Sequence, residues 1–423
     1  MTPLQRTLIL LTATLSLAAC KDNDESTGSA PIIQPPPDPH AALNSIDTTG
    51  APEGIVDLPA TAPAVLTNVF ARYSQTTIAG AGRIHFLAQS GVSNETHFRA
   101  RRVLEQHLAN VAGTTNGADK SAVRAAIATA DTAFVLFRDA ASADPTLPAV
   151  VAFRDAFPGF GQLIATDAIV EGSPEYMAIA PAYDATLSST ARFALNAAGT
   201  SLDAFRGELV TREAAAESAL LYVPDSNTQD VAGDFMARTL EVYYGIWGHD
   251  PLGNGHAGAS DDYAFHTRAA METGDPATFA LIESFFAPFH TYPAFLTDGF
   301  TGTFESAFDV NTPYTHRSRY LTKVGLRGSV GARINGNALG GTYQGGLGDD
   351  DFMGGAGDDF IEGGSTVDFD RAFYSGPASE YLVAPSPFGG GATQVLDTNL
   401  NRDGTDQIRF VEQLVFSDMT IDL

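Results

Sequence analysis

GGLGDDDFM at residues 345–353 runs without a gap into GGAGDDFIE at 354–362. Both nonapeptides fit the rule GGxGxDxUx, with Asp350 and Asp359 at the acidic position and Phe352 and Ile361 at the apolar one. The glycines, Gly346, Gly348, Gly355, Gly357 and Gly364 among them, permit turns that a side chain would block. Backbone carbonyls and carboxylates can then converge on a hard cation, and the spacing implies Ca²⁺ held in a short parallel β-roll. The apolar residue of each repeat is expected to face inward and stack on its equivalents. Gly336–Gln344 reads as a degenerate preceding repeat with Leu339 near its apolar position, and Gly363 with Gly364 opens a further one that Ser365 interrupts, leaving Asp368 as its acidic candidate.

Composition sets the wider bounds. The 423 residues carry 24 Lys plus Arg against 50 Asp plus Glu, a formal charge of -26. Such a balance argues against nucleic acid as a partner, because phosphate backbones are held by clustered cations. A content of 44% hydrophobic residues argues for folded structure over wholesale disorder. Much of the excess in the 41 glycines falls in the C-terminal block.

At the other end, Arg6 precedes an apolar stretch from Leu8 to Ala19, too short for a stable bilayer span, and it reads as a signal peptide over residues 1–20. Its close, Leu17-Ala18-Ala19-Cys20, resembles the lipobox of bacterial lipoproteins. The resemblance implies an acylated Cys20 as anchor in a lipid bilayer, at the outer membrane or cell surface, with a periplasm-facing orientation as the alternative. Cys20 is also the single cysteine, so the folded part is expected to contain no disulfide and no thiolate site. Residues 21–60, with Pro35–Pro37 and Pro39, read as a disordered proline-rich tether.

Residues 61–319 read as a mainly α-helical domain. Ser93, Asn94 and Glu95 form a capping signature ahead of Phe98, Leu104, Leu108 and Val111 at roughly helical spacing. Further helices are expected over 118–130, 182–198, 202–221 and 230–246, whereas Ala133–Phe137 is too short for periodicity to separate strand from buried helix. Residues 320–423 are assigned to the β-roll and a terminal β segment.

The nonapeptides resemble the RTX, or hemolysin-type, calcium-binding repeat of secreted bacterial proteins, and the closing stretch 403–423 is similar to the β segment that finishes such regions. This resemblance covers roughly the last ninety residues. It implies a calcium-dependent fold and says little about activity. The segments ARYSQTTIAGAGRIHFLAQSGVSNETHFRARRVLEQHL and LEVYYGIWGHD are similar to a family of secreted, often RTX-tailed bacterial proteins of unassigned activity. Many members carry an acidic, histidine-bearing helix where this chain reads AYDATLSSTARFALNAAG, with Asp184 and Asn196 but neither Glu nor His. If the relatives hold a transition metal on that helix, this chain lacks the ligands for it, which argues against an enzymatic role inherited through them.

No HExxH, G-x-S-x-G or P-loop pattern is present among the nine histidines or elsewhere. The densest polar constellation is HDPLGNGHAGASDDYAFH at 249–266, where His249, His256, Asp261 and His266 offer zinc or copper ligands, and equally helix caps and a wet loop. Trp247-Gly248-His249 resembles the tryptophan-x-histidine element of methanotroph surface copper-binding proteins. The favoured expectation is a calcium-binding, surface-tethered lipoprotein with a binding or structural role toward a cell-surface or extracellular ligand. The alternatives are an extracytoplasmic metalloenzyme, a hydrolase among the options, and a copper-binding surface protein.

Overall fold

The computed structural model describes residues 38–423 apart from 131, 169, 174–183, 225–229, 250–261, 310, 311 and 313. Asp38 accepts from the N–H of His40 and Pro39 occupies the first turn of helix α1 (Pro39–Ser45), a position where its missing N–H costs nothing. Leu43, Ile46 and Leu58 of this stretch are buried against Tyr73, Phe153 and Phe157. Residues 38–60 are therefore part of the folded body and correct the expected tether, because their apolar side chains have a core to enter. Residues 21–37 lie outside the described residues.

A five-stranded sheet follows: β1 (Val56–Asp57), β2 (Arg72–Ile78), β3 (Gly82–Ala88), β4 (Phe134–Phe137) and β5 (Gly161–Ile164), in that spatial order. β1 to β3 pair antiparallel, and β3 to β5 pair parallel. Side chains alternate across it. Phe86, Phe134 and Leu136 enter one core with Val103, Leu104 and Phe193, whereas Leu87, Val135 and Phe137 enter the other with Leu43, Phe70 and Phe153. Burial on both faces explains why the short apolar run at 133–137 carried no readable period.

Helices surround this sheet: α2 (Ala64–Thr67), α3 (Asn94–Leu108), α4 (Ser121–Thr129), α5 (Pro148–Ala156), α6 (Ala185–Ala197), α7 (Asp203–Ser218), α8 (Val231–Tyr243), α9 (Arg268–Gly274) and α10 (Pro276–Glu283). Ser93 caps α3 by accepting from the Thr96 N–H at 3.1 Å, as its sequence signature predicts. Among the described residues no helix is long and apolar enough to cross a membrane.

This mostly helical region leads into a β-sheet region in which the chain alternates between two sheets. β6 (Ala294–Phe295), β8 (Lys323–Gly325), β10 (Thr342–Gln344), β12 (Phe360–Glu362) and β16 (Thr405–Arg409) pair in parallel in one. β7 (Thr303–Glu305), β9 (Arg333–Asn335), β11 (Asp351–Met353), β13 (Arg371–Phe373) and β17 (Gln413–Val415) do so in the other. The hairpin strands β14 (Tyr381–Pro385) and β15 (Thr393–Asp397) extend the first sheet, and β18 (Thr420–Asp422) extends the second, all antiparallel.

Each three-residue strand of the parallel pairs buries its central side chain. Val324, Ile334, Tyr343, Phe352, Ile361, Ala372 and Leu414 form a column continuous with the core of the helical region. In the degenerate repeat the inward residue is Tyr343, and Leu339 sits half-buried in the turn. Parallel pairing already starts at Ala294, upstream of the boundary expected near Arg319, because β6 and β7 supply the first strands without any glycine motif.

Candidate functional site

The turns between the two sheets bring the predicted glycines and aspartates together. A Cβ on Gly346 would lie 2.3 Å from the carbonyl oxygen of Gly328, so successive turns pack backbone on backbone. Gly348 and Gly357 pack as closely on residues 329–331 and 339–340 of the neighbouring turn. Gly355 and Gly364 additionally adopt φ of +102° and +108°, which L side chains rarely tolerate.

Two aspartate ladders run along the stack. In the first, Asp350 accepts from the Ala332 N–H at 2.9 Å, 18 residues back, and its other oxygen accepts from Gly346 N–H at 2.7 Å. Asp370 accepts from the Asp350 N–H at 2.7 Å, 20 residues on, so this coil carries two extra residues. In the second, Asp359 accepts from the Gly341 N–H at 2.7 Å and Asp406 accepts from the Asp359 N–H at 3.0 Å, 47 residues on. That long gap holds the β14–β15 hairpin.

Asp370, not the predicted Asp368, thus holds the ladder position, and Asp406 was missed altogether. Both keep the D-x-apolar spacing of the repeats, in Asp370-Arg371-Ala372 and Asp406-Gln407-Ile408, which was the available signal. Asp368 places both carboxylate oxygens out of solvent with no hydrogen-bond partner, and Asp359 Oδ2 and Asp370 Oδ2 are sequestered in the same way. Burial raises three carboxyls of the ladders, Asp359 to about 7, Asp370 to about 8 and Asp406 to about 9, with Asp358, Asp368 and Asp359 respectively adding repulsion. Buried acids with unused oxygens beside stacked backbone carbonyls have the chemistry of a hard-cation site. Among the described residues, however, no group of three or more His, Cys, Asp or Glu side chains is arranged to hold a metal ion.

The 249–266 constellation fares differently. His256 and Asp261 lie outside the described residues, as does the side chain of His249. His266 is half-buried with its ring 5.2 Å from that of Trp247, and the indole N–H of Trp247 donates to Glu241 at 3.2 Å. Glu241 also accepts from Ser188 Oγ and from Arg238 at 3.3 Å, while burial still pushes its carboxyl upward. Cys20 is outside the described residues.

Sequence reasoning gave no hint of a buried charged cluster where α3 meets α6 and the segment before β8. Arg99 Nε donates to Glu171 at 2.9 Å and its Nη2 to Asp184 at 2.8 Å. Tyr292 donates to Glu171 at 2.8 Å and lies 3.1 Å from His316 Nε2, and Gln106 accepts from the backbone N–H groups of Thr291 and Tyr292 at 2.7 and 3.1 Å. Burial alone would discharge Arg99, but Asp184 and Glu171 hold it charged, and Arg99 in turn overcomes burial to hold Glu171 well below the usual carboxylate range. Asp184 also caps α6 through the N–H groups of Thr186 and Leu187. Its two oxygens serve two elements at once. Nearly every hydrogen-bonding group of the Arg99 unit is consumed internally, so the cluster fastens elements together. Asn196, at the far end of α6, reaches Asp230 at 3.2 Å. The sequence matches no known family model and no curated protein.

Proposed function

We propose that the C-terminal stack is a parallel β-roll of the RTX type that binds Ca²⁺, in a lipoprotein tethered at the cell surface through Cys20 whose helical region serves binding or structure. The observation that carries the reading is the pair of aspartate ladders, with buried and unpartnered oxygens on Asp359, Asp368 and Asp370 next to stacked glycine turns. Asp350, Asp359, Asp368 and Asp370, with carbonyls of the turns around Gly346, Gly355 and Gly364, would hold the ions. Calcium takes six to eight oxygens and tolerates irregular geometry, so carbonyl-rich turns with few carboxylates suit it better than a transition metal. When bound it supplies charge neutralisation, relieving the repulsion among Asp350, Asp368 and Asp370. The anchor rests on the sequence at Leu17–Cys20 alone.

The test is a calcium titration of the chelator-stripped full chain, followed by circular dichroism and limited proteolysis. Ordering of the stack and slower cleavage within 320–423 are expected at about 10⁻⁴–10⁻³ M calcium. No change in either signal at millimolar calcium overturns the calcium reading. In cells, Cys20→Ser is expected to shift the protein from the membrane fraction to the soluble one, and unchanged fractionation removes the acyl tether.

A further inference from the structure

On a chain of formal charge -26, three arginines converge on one aromatic ring. The guanidinium carbons of Arg101, Arg102 and Arg327 lie 5.4, 5.0 and 4.9 Å from the centre of Phe98, and Arg327 is also 4.1 Å from that of Phe295. They line an open cleft of about 660 Å³ between α3, β2 and β6, to which Thr76 and Thr77 add hydroxyls. Among the described residues that line it, Glu53 and Glu105 are the acidic ones.

Those two carboxylates do not exhaust the donors. Glu105 accepts from Arg102 at 3.1 Å and from the Thr76 hydroxyl at 2.8 Å, and lies 3.9 Å from Arg101; Glu53 contacts Arg327 through its carboxylate and Arg101 through its carbonyl. Each guanidinium carries five N–H groups. Arg102 Nε is shielded from solvent and has no partner, although the Arg102 side chain as a whole is 40% exposed at the cleft. Grouping like charges this closely opposes folding, and an incoming anion would offset it. Guanidinium forks match the oxygens of phosphate in pairs, and the half-buried ring of Phe295 offers an apolar wall beside them.

We propose that this cleft binds a phosphate-bearing ligand, a phosphomonoester or pyrophosphate whose organic part packs on Phe295. The site is separate from the calcium stack and stands or falls independently of it. A soluble sugar phosphate and a phosphorylated lipid headgroup present the same group.

The experiment uses the full chain in buffer freed of calcium by immobilised chelator, so that no metal bridges the partners. Isothermal titration with inorganic pyrophosphate is paired with co-sedimentation on phosphatidylcholine vesicles with and without phosphatidic acid. Saturable pyrophosphate binding is expected, weakened at least about tenfold in Arg102→Glu, as loss of a charge-assisted bidentate contact predicts. Arg138→Glu, an exposed arginine outside the cleft, is expected to bind like the parent. Should Arg102→Glu unfold, Arg102→Gln is measured in its place with the same expectation. Co-sedimentation that requires phosphatidic acid assigns the ligand to a lipid headgroup, and pyrophosphate binding without it assigns a soluble phosphate. Absence of both signals in the parent overturns the proposal, as does an equal loss in the Arg102 and Arg138 variants.

Discussion

Arg99 shows how much depends on whether a charge is buried with its partners. Replacing it with Met would leave Glu171 and Asp184, both almost fully buried, without their shared guanidinium. Removing one side of a buried ion network costs about 3–5 kcal/mol. The exposed Arg138–Asp139 pair, with an equally short 2.8 Å contact, contributes far less because water competes for both ions. Urea denaturation of Arg99→Met and Arg138→Met is expected to separate the two by several kcal/mol, and similar midpoints would show that the buried cluster is not fastening the fold. None of this cluster was legible beforehand: Arg99, Glu171, Asp184, Tyr292 and His316 are scattered along the chain, and no spacing rule joins them. Asp370 and Asp406 were legible in principle, since each precedes an inward residue by two positions as Asp350 and Asp359 do.

At the scale of elements, the glycine turns are the most sensitive parts. Gly355 combines φ of +102° with a Cβ position only 2.3 Å from the Asn337 carbonyl oxygen. Strain of that kind costs about 1–3 kcal/mol before the steric conflict is added. Gly355→Ala is therefore expected to lower the thermal midpoint of the calcium-loaded protein and to raise the calcium needed for ordering; unchanged values for both would contradict the stacked-turn account. Local pattern was a good guide wherever local chemistry decides structure. Ser93 caps α3, and α6, α7 and α8 fall inside the expected helical stretches. It failed for the five-stranded sheet, whose β4 is buried on both faces and whose β5 has four residues. It failed also for 38–60, where proline content concealed Leu43, Ile46 and Leu58, which dock on the second core.

For the whole molecule, proton binding and calcium binding compete. Burial raises Asp359, Asp370 and Asp406 to about 7, 8 and 9, against the ordinary 3.8. The folded chain therefore binds more protons than the unfolded one between these limits. The stability contributed by these groups is complete below their unfolded value and is lost as pH rises through the folded values. In chelator the thermal midpoint is expected to fall from about pH 5 to about pH 9, and calcium is expected to flatten the decline by replacing the protons. A midpoint that rises over the same interval would reverse the sign and refute the assignment. The nonapeptides made the C-terminal sheets legible, while the start of parallel pairing at Ala294 was hidden in two- and three-residue strands without a motif. The 18-residue offset shared by Arg333 with Asp351 and by Thr342 with Phe360 has a consequence for how such a chain can change. Because one full winding serves both sheets, a copy of it can be excised or duplicated without altering the facing of any side chain outside it. Length along this axis is a modular quantity, open to variation in whole windings while everything upstream keeps its shape.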